Sequence, residues 1–152
     1  MIKKLNLQDY QLVKELYELQ RASYLIEAEL INFYEIPPLV ETIEELKKCG
    51  ETFFGYFVGD ELAGAISIMI EGHEATICRM VVHPNHFRKG IAQKLLAFIE
   101  KNLSHYPVIK VSTGKENTPA NKLYLKNGFL LVGDIEVAPG LFISNFEKRK
   151  NE

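Results

Sequence analysis

Cysteine is scarce in this chain, with Cys49 and Cys78 the only two among 152 residues. They lack CxxC spacing, which excludes a disulfide framework. Cys78 falls in the apolar run "ATICRMVV" and is expected to fill the core as a small apolar residue. Long hydrophobic runs are missing too: no stretch approaches the ~20 apolar residues of a membrane helix. The opening "MIKKLNLQDY" has neither an apolar signal core nor a cleavage site. Neither sign of charge dominates. Eighteen basic and 20 acidic residues leave a net charge of −2, without a basic field for nucleic acid or a polybasic face for a membrane. A soluble cytoplasmic protein with no nucleic-acid or membrane partner is therefore expected. Neither GxGxxG nor GxxxxGK[ST] occurs. His83 and His86 flank a proline with no third ligand near them, so no metal is expected.

What is present suits one domain spanning residues 1–152, with no repeat or linker. "MIKKLN" reads as a short strand. Leu12, Val13, Leu16, Leu19 and Ala22 recur at helical spacing between Asp9 and about Glu29. Pro37 and Pro38 interrupt, and Thr42 with Glu45 forms a capping-box pair opening a short helix through Lys48. "ETFFGYFV", "ELAGAISIMI" and "EATICRMVV" follow as strands joined by tight-turn residues, an antiparallel meander. A helix over Gly90–Asn102 buries Ile91, Leu95, Leu96, Phe98 and Ile99. "YPVIKVST" is a strand, and "TPANKLYLKNGF" a helix with Thr118 as N-cap and Gly128 at its stop. Strands near Phe129–Val137 and Leu141–Phe146 finish the chain. A strand–helix–strand crossover implies one parallel pair beside the meander. The expected fold is α/β (α+β): a mixed, mostly antiparallel central sheet with helices on both faces.

The stretch "HPNHFRKGIAQKLL" places Arg88, Lys89 and Gly90 at a helix mouth. Unpaired N–H groups and the positive end of the helix dipole converge there, which suits an anionic group such as phosphate. A solvated basic surface beside a common turn glycine would look the same.

A second segment adds to this. "VVHPNHFRKGIAQKLL" resembles the coenzyme A signature [RQ]xxGx[GA] of the Gcn5-related N-acetyltransferase (GNAT) superfamily, and "NTPANKLYLKNGF" resembles its later motif NxxAxxLYxxxGF. Asn117, Ala120, Leu123, Tyr124, Gly128 and Phe129 match the second motif, whereas Phe87 stands where the first usually has Arg or Gln. The resemblance implies an acyl-CoA N-acyltransferase fold and acetyl-CoA as cosubstrate. It makes the amides of Arg88, Lys89, Gly90, Ile91, Ala92 and Gln93 the pyrophosphate cradle. Met80, Val81 and Val82 would bind the pantetheine arm through their main chain, with Asn117, Ala120 and Tyr124 beside it.

On this resemblance the reaction is direct attack of a primary amine on the thioester, with Tyr124 the acid at the departing sulfur. A helical tyrosine can equally be a core residue. The base is not legible: where some relatives carry glutamate, this chain has Ser112. In the family the region between the first two helices usually lines the acceptor site, which would put Tyr24, Glu27, Glu29 and Tyr34 near a cationic amine; glutamates on a solvated helical face are the plainer reading. The acceptor itself, a small molecule or a peptide amine, and the choice between monomer and homodimer are not encoded in any motif. A non-catalytic acyl-CoA-binding regulatory module is the alternative function.

Overall fold

Seven strands pair in the order β1-β2-β3-β4-β5-β7-β6, and every neighbouring pair is antiparallel except β4–β5. The strands are β1 (Ile2–Lys4), β2 (Thr52–Val58), β3 (Glu61–Glu71), β4 (Glu74–Val82), β5 (Val108–Gly114), β6 (Leu130–Ala138) and β7 (Leu141–Arg149). This computed structural model describes residues 1–149, so the last three residues of the expected domain lie outside the described residues. The mixed, mostly antiparallel sheet is as expected.

Helices cover both faces. On one lie α1 (Tyr10–Ile31), α2 (Pro37–Val40) and α3 (Ile43–Lys47), over a core that includes Val13, Leu16, Leu19, Leu46, Phe53 and Val81. On the other lie α4 (Ile91–Asn102) and α5 (Thr118–Lys126), where Leu95, Leu96 and Ile99 pack with Ile66, Ile109 and Phe129. Asp9 caps α1 by accepting from the amides of Gln11 and Leu12, and Asn32 ends the helix in the left-handed region. None of the helices among the described residues is long and apolar enough to cross a membrane.

Four local expectations are corrected. Pro37 and Pro38, expected only to interrupt, open the short α2, since proline at the first helical positions forfeits only N–H groups that have no helical partner. Phe98 is half-buried, its ring 5.3 Å from that of Phe54 at the edge of the core. The N-cap of α5 is Asn117, whose Oδ1 accepts from the Ala120 amide, and Thr118 is the first helical residue.

The fourth correction concerns Cys78, which is exposed. The register of β3 with β4 shifts so that Ile68 faces Ile77 and Ser67 faces Arg79, leaving Cys78 as the extra residue of a β-bulge. Because strand side chains alternate, one extra residue exchanges the faces beyond it. Ala75 and Ile77 point to the α4 side, whereas Arg79 and Val81 point to the α1 side. Past Ile77 the strand also loses its parallel partner, because β4 pairs with β5 only from Glu74↔Val108 to Ile77↔Val111. The sheet opens there.

Candidate active site

The opening between β4 and β5 widens into a cleft of about 770 Å³, within the range of small-molecule sites. It runs from the start of α4 past the second halves of both strands to α1 and α5. At its α4 end Arg88 and Gly90 have positive φ, 66° and 74°, whereas Lys89 between them does not. Such alternation can turn successive N–H groups to one side, a nest geometry suited to an anion. A left-handed arginine is strained, and Gly90 holds the second position at no steric cost. Gly64 on β3 lets α4 sit this low, since a Cβ there would come within 2.8 Å of Ile91 Cγ2 and 3.1 Å of the Val81 carbonyl. Gln93 and Asn127 exchange amide hydrogen bonds at 2.8 and 2.9 Å, tying the mouth of α4 to the end of α5.

Arg88, Gly90, Ile91, Ala92 and Gln93 line the cleft, but Lys89 does not: its Nζ donates to His86 Nδ1 at 3.0 Å, and His86 Nε2–H donates to Glu61 at 3.1 Å. Met80 and Val82 line it, while the Val81 side chain is buried on the α1 face. Asn117 and Ala120 line it as well, with Asn117 Nδ2 donating to Thr113 Oγ1 of β5.

Tyr124 is buried on the α4 side, its ring 5.7 and 5.8 Å from those of Phe129 and Phe146. Tyr124 faces the cleft, and among the described residues its hydroxyl forms no hydrogen bond. Tyr24 is buried on the opposite side of the sheet and lines the same cleft. The gap between β4 and β5 brings the two phenols together with Glu27, which sits about one helical turn after Tyr24. Burial, and then the charge of Glu27, raise the pKa of both phenols, so both stay protonated at neutral pH. Burial also raises the Glu27 carboxyl. Glu29 and Tyr34 are exposed and lie outside the cleft wall. Ser112, where the sequence offered no base, lines the cleft and donates to Asn145.

Among the wall residues that the sequence did not assign to the site, two neighbours on β4 stand out. Cys78 lines the cleft; although the residue is exposed, partial burial of its thiol pushes the pKa up to about 11. Arg79 is the larger omission. Its guanidinium spends all five N–H donors on Glu41, Glu51 and Gln20, at 2.7 to 3.1 Å. Burial alone would lower its pKa, but the two carboxylates outweigh that and raise it. The signal was a lone charge inside an apolar strand, which is buried only when paired.

Among the described residues no group of three or more His, Cys, Asp or Glu side chains could hold a metal ion. An anion nest leading into a narrow slot that ends at buried phenols fits an extended, phosphate-bearing thioester. The similarity to known proteins agrees with that geometry. The chain is 38% identical over its whole length to the UPF0157 protein YqkA of Bacillus subtilis (strain 168), of which it covers 45%. It is 37% identical over 53% of its length to the streptothricin acetyltransferase of Escherichia coli, covering 48% of that protein. The chain thus spans about half the length of the curated relatives it matches. Among solved structures, PH1933 from Pyrococcus horikoshii OT3 is 26% identical with a TM-score of 0.80, covering 100% of this chain and 99% of that one. The PaiA N-acetyltransferase of Thermoplasma acidophilum, solved with coenzyme A, shares the fold at 24% identity and a TM-score of 0.74, covering 99% of this chain and 98% of that one. The model of the acetyltransferase (GNAT) family matches residues 13–129, which take in the anion nest, the bulged strand and Tyr124; the chain belongs to that family.

Proposed function

We propose that this protein is an acetyl-CoA-dependent N-acetyltransferase that transfers the acetyl group to a primary amine by direct attack. The observation that carries the proposal is the continuous cleft from the Arg88–Gly90 nest, through the β4–β5 opening, to the unpartnered Tyr124 hydroxyl. The pyrophosphate rests on the amides of Arg88 to Gln93, with Arg88 adding charge. The pantetheine arm enters the opening and hydrogen-bonds the main chain of Met80 to Val82, as an added strand would. Asn117 and Ala120 form its opposite wall. Backbone amides do most of the binding, so Phe87 in place of Arg or Gln removes one side chain and leaves the cradle. Holding amine and thioester in one slot supplies much of the rate. No covalent enzyme intermediate is required, and the raised pKa of Cys78 disfavours a thiolate nucleophile.

The test is thiol release from acetyl-CoA across polyamines, amino acids, aminoglycosides and peptides. Amine-dependent release is expected. Calorimetric binding of acetyl-CoA with no release across the panel would instead favour a regulatory binding module.

Replacing Gly90 with valine is expected to weaken acetyl-CoA binding about tenfold in calorimetry. A left-handed conformation costs an L-residue roughly 1–2 kcal/mol, enough to swing the nest amides out of line. Overpacking is not the cause, because a Cβ at this position meets no atom within 4 Å. Unchanged affinity would remove the nest from the cofactor site.

A further inference from the structure

We propose that Glu27 is the general base, its carboxylate taking the proton from the acceptor's ammonium on the α1 side of the cleft. This inference rests on the acetyl-transfer reading and supplies the group that no motif names.

Elimination within the cleft wall is the first support. Glu27 is its only carboxylate among the described residues. Of the other groups that could accept a proton, His86 is held between Lys89 and Glu61. Cys78 stays a thiol and Tyr24 a phenol, since burial raises both. Arg79 is a saturated cation, balanced by Glu41 and Glu51.

Placement is the second support. Tyr24 and Glu27 share one face of α1, and both line the same cleft as Tyr124, whose pKa the charge of Glu27 helps to raise. A thioester threaded between β4 and β5 therefore has Tyr124 on the α5 side and Glu27 on the α1 side. Its carbonyl lies between the acid and the base. Among the described residues Glu27 has no hydrogen-bond or ion-pair partner that an incoming ammonium must displace.

Energetics are the third. A lysine-like ammonium is a much weaker acid than a carboxyl in water, with pKa ~10.4 against ~4.3. The partial burial that raises Glu27 also penalises an ammonium drawn in beside it, so both shifts narrow the gap. The step balances as follows. The ammonium gives one proton to Glu27, and the freed lone pair forms the C–N bond. The C–S pair then leaves on sulfur, where the Tyr124 hydroxyl donates a hydrogen bond. The excess proton on nitrogen passes to the sulfur, the proton on Glu27 is released to water and restores the carboxylate, and the products are an amide and free thiol.

Glu27→Gln keeps the shape and removes the basicity. With n-butylamine as the probe acceptor, kcat/KM near neutral pH is expected to fall at least tenfold, while acetyl-CoA binding and the thermal midpoint stay unchanged. The wild-type kcat/KM should rise with pH through a limb lying above the ordinary carboxylate value of 4.5, because the base works only when ionised. The titratable groups coupled to it, Tyr24 and Tyr124, remain neutral over that limb, as does the Cys78 thiol elsewhere in the cleft wall, and Arg79 remains charged. In Glu27→Gln the limb should vanish and activity follow the ionisation of the amine alone. Glu18→Gln, an exposed site on the same helix, should behave as wild type. Should Glu27→Gln fail to fold, Glu27→Asp should retain the limb at a reduced rate. Wild-type kcat/KM and an unchanged limb in Glu27→Gln would overturn the proposal. A wild type that turns over no amine would sink the acetyl-transfer reading instead. Glu27 is then judged by its carboxyl NMR resonance in the CoA-saturated protein: movement on adding n-butylamine supports the assignment, and a fixed resonance overturns it.

Discussion

Replacing Tyr124 with phenylalanine is expected to lower kcat with an amine acceptor by up to about 100-fold and to leave acetyl-CoA affinity unchanged. The magnitude follows from which role the phenol can play. Its pKa is raised by burial and by Glu27, whereas a departing thiol resembling cysteine ionises near ~8.5. Full proton transfer from such a phenol to the thiolate is uphill, so what it supplies is a hydrogen bond that strengthens as charge reaches the sulfur. A hydrogen bond to a charged group is worth roughly 1.5–3 kcal/mol, or about 10- to 100-fold in rate. Because the bond strengthens only in the transition state, kcat and kcat/KM should fall together. Folding should not suffer: the phenylalanine ring keeps its packing on Phe129 and Phe146, and the lost hydroxyl has no partner among the described residues. Equal turnover of the two proteins would remove Tyr124 as the hydrogen-bond donor to the departing sulfur.

Arg79→Met is expected to destabilise the fold by about 3–5 kcal/mol, lowering the thermal midpoint by roughly 6–20 °C. The guanidinium joins α1 through Gln20, the residue after α2 through Glu41 and the residue before β2 through Glu51. The side chains of Arg79, Glu41 and Glu51 are only 9, 14 and 12% exposed. Removing the cation strands two carboxylates that water barely reaches, and that desolvation, more than the lost attraction, sets the cost. A variant that also carries Glu41→Leu and Glu51→Leu should regain most of the loss. Thermal melts of the single and triple variants decide the matter. A single variant as stable as wild type would mean that the cluster is solvated and contributes little.

These two residues differ in how far the sequence could reach them. Tyr124 was legible because Asn117, Ala120, Gly128 and Phe129 fall around it within one helix and its stop. Asp9, Thr42 and Gly90 were legible for a similar reason, each bonding or bending within four residues of itself. The cap of α5 marks the limit of such signals. Asn117 and Thr118 are adjacent polar residues, and the tether from Asn117 to Thr113 on β5 favours the former. Glu27 looked like a solvated glutamate because periodicity alone places it at the margin of the α1 face.

The sequence by itself determined the order of the seven strands and of every helix but α2, most of their caps and turns, and the two motifs that mark the family. All of these depend on residues within a turn or two of one another. Only the tertiary structure decided that Cys78 is exposed, that Arg79 turns toward α1, and that Tyr24, Glu27 and Tyr124 share one cleft. The reason is the bulge at Cys78 and the end of β4–β5 pairing after Ile77. One unpaired residue exchanges the two faces of a strand, and its position is set by a register with β3 that no local pattern in β4 encodes.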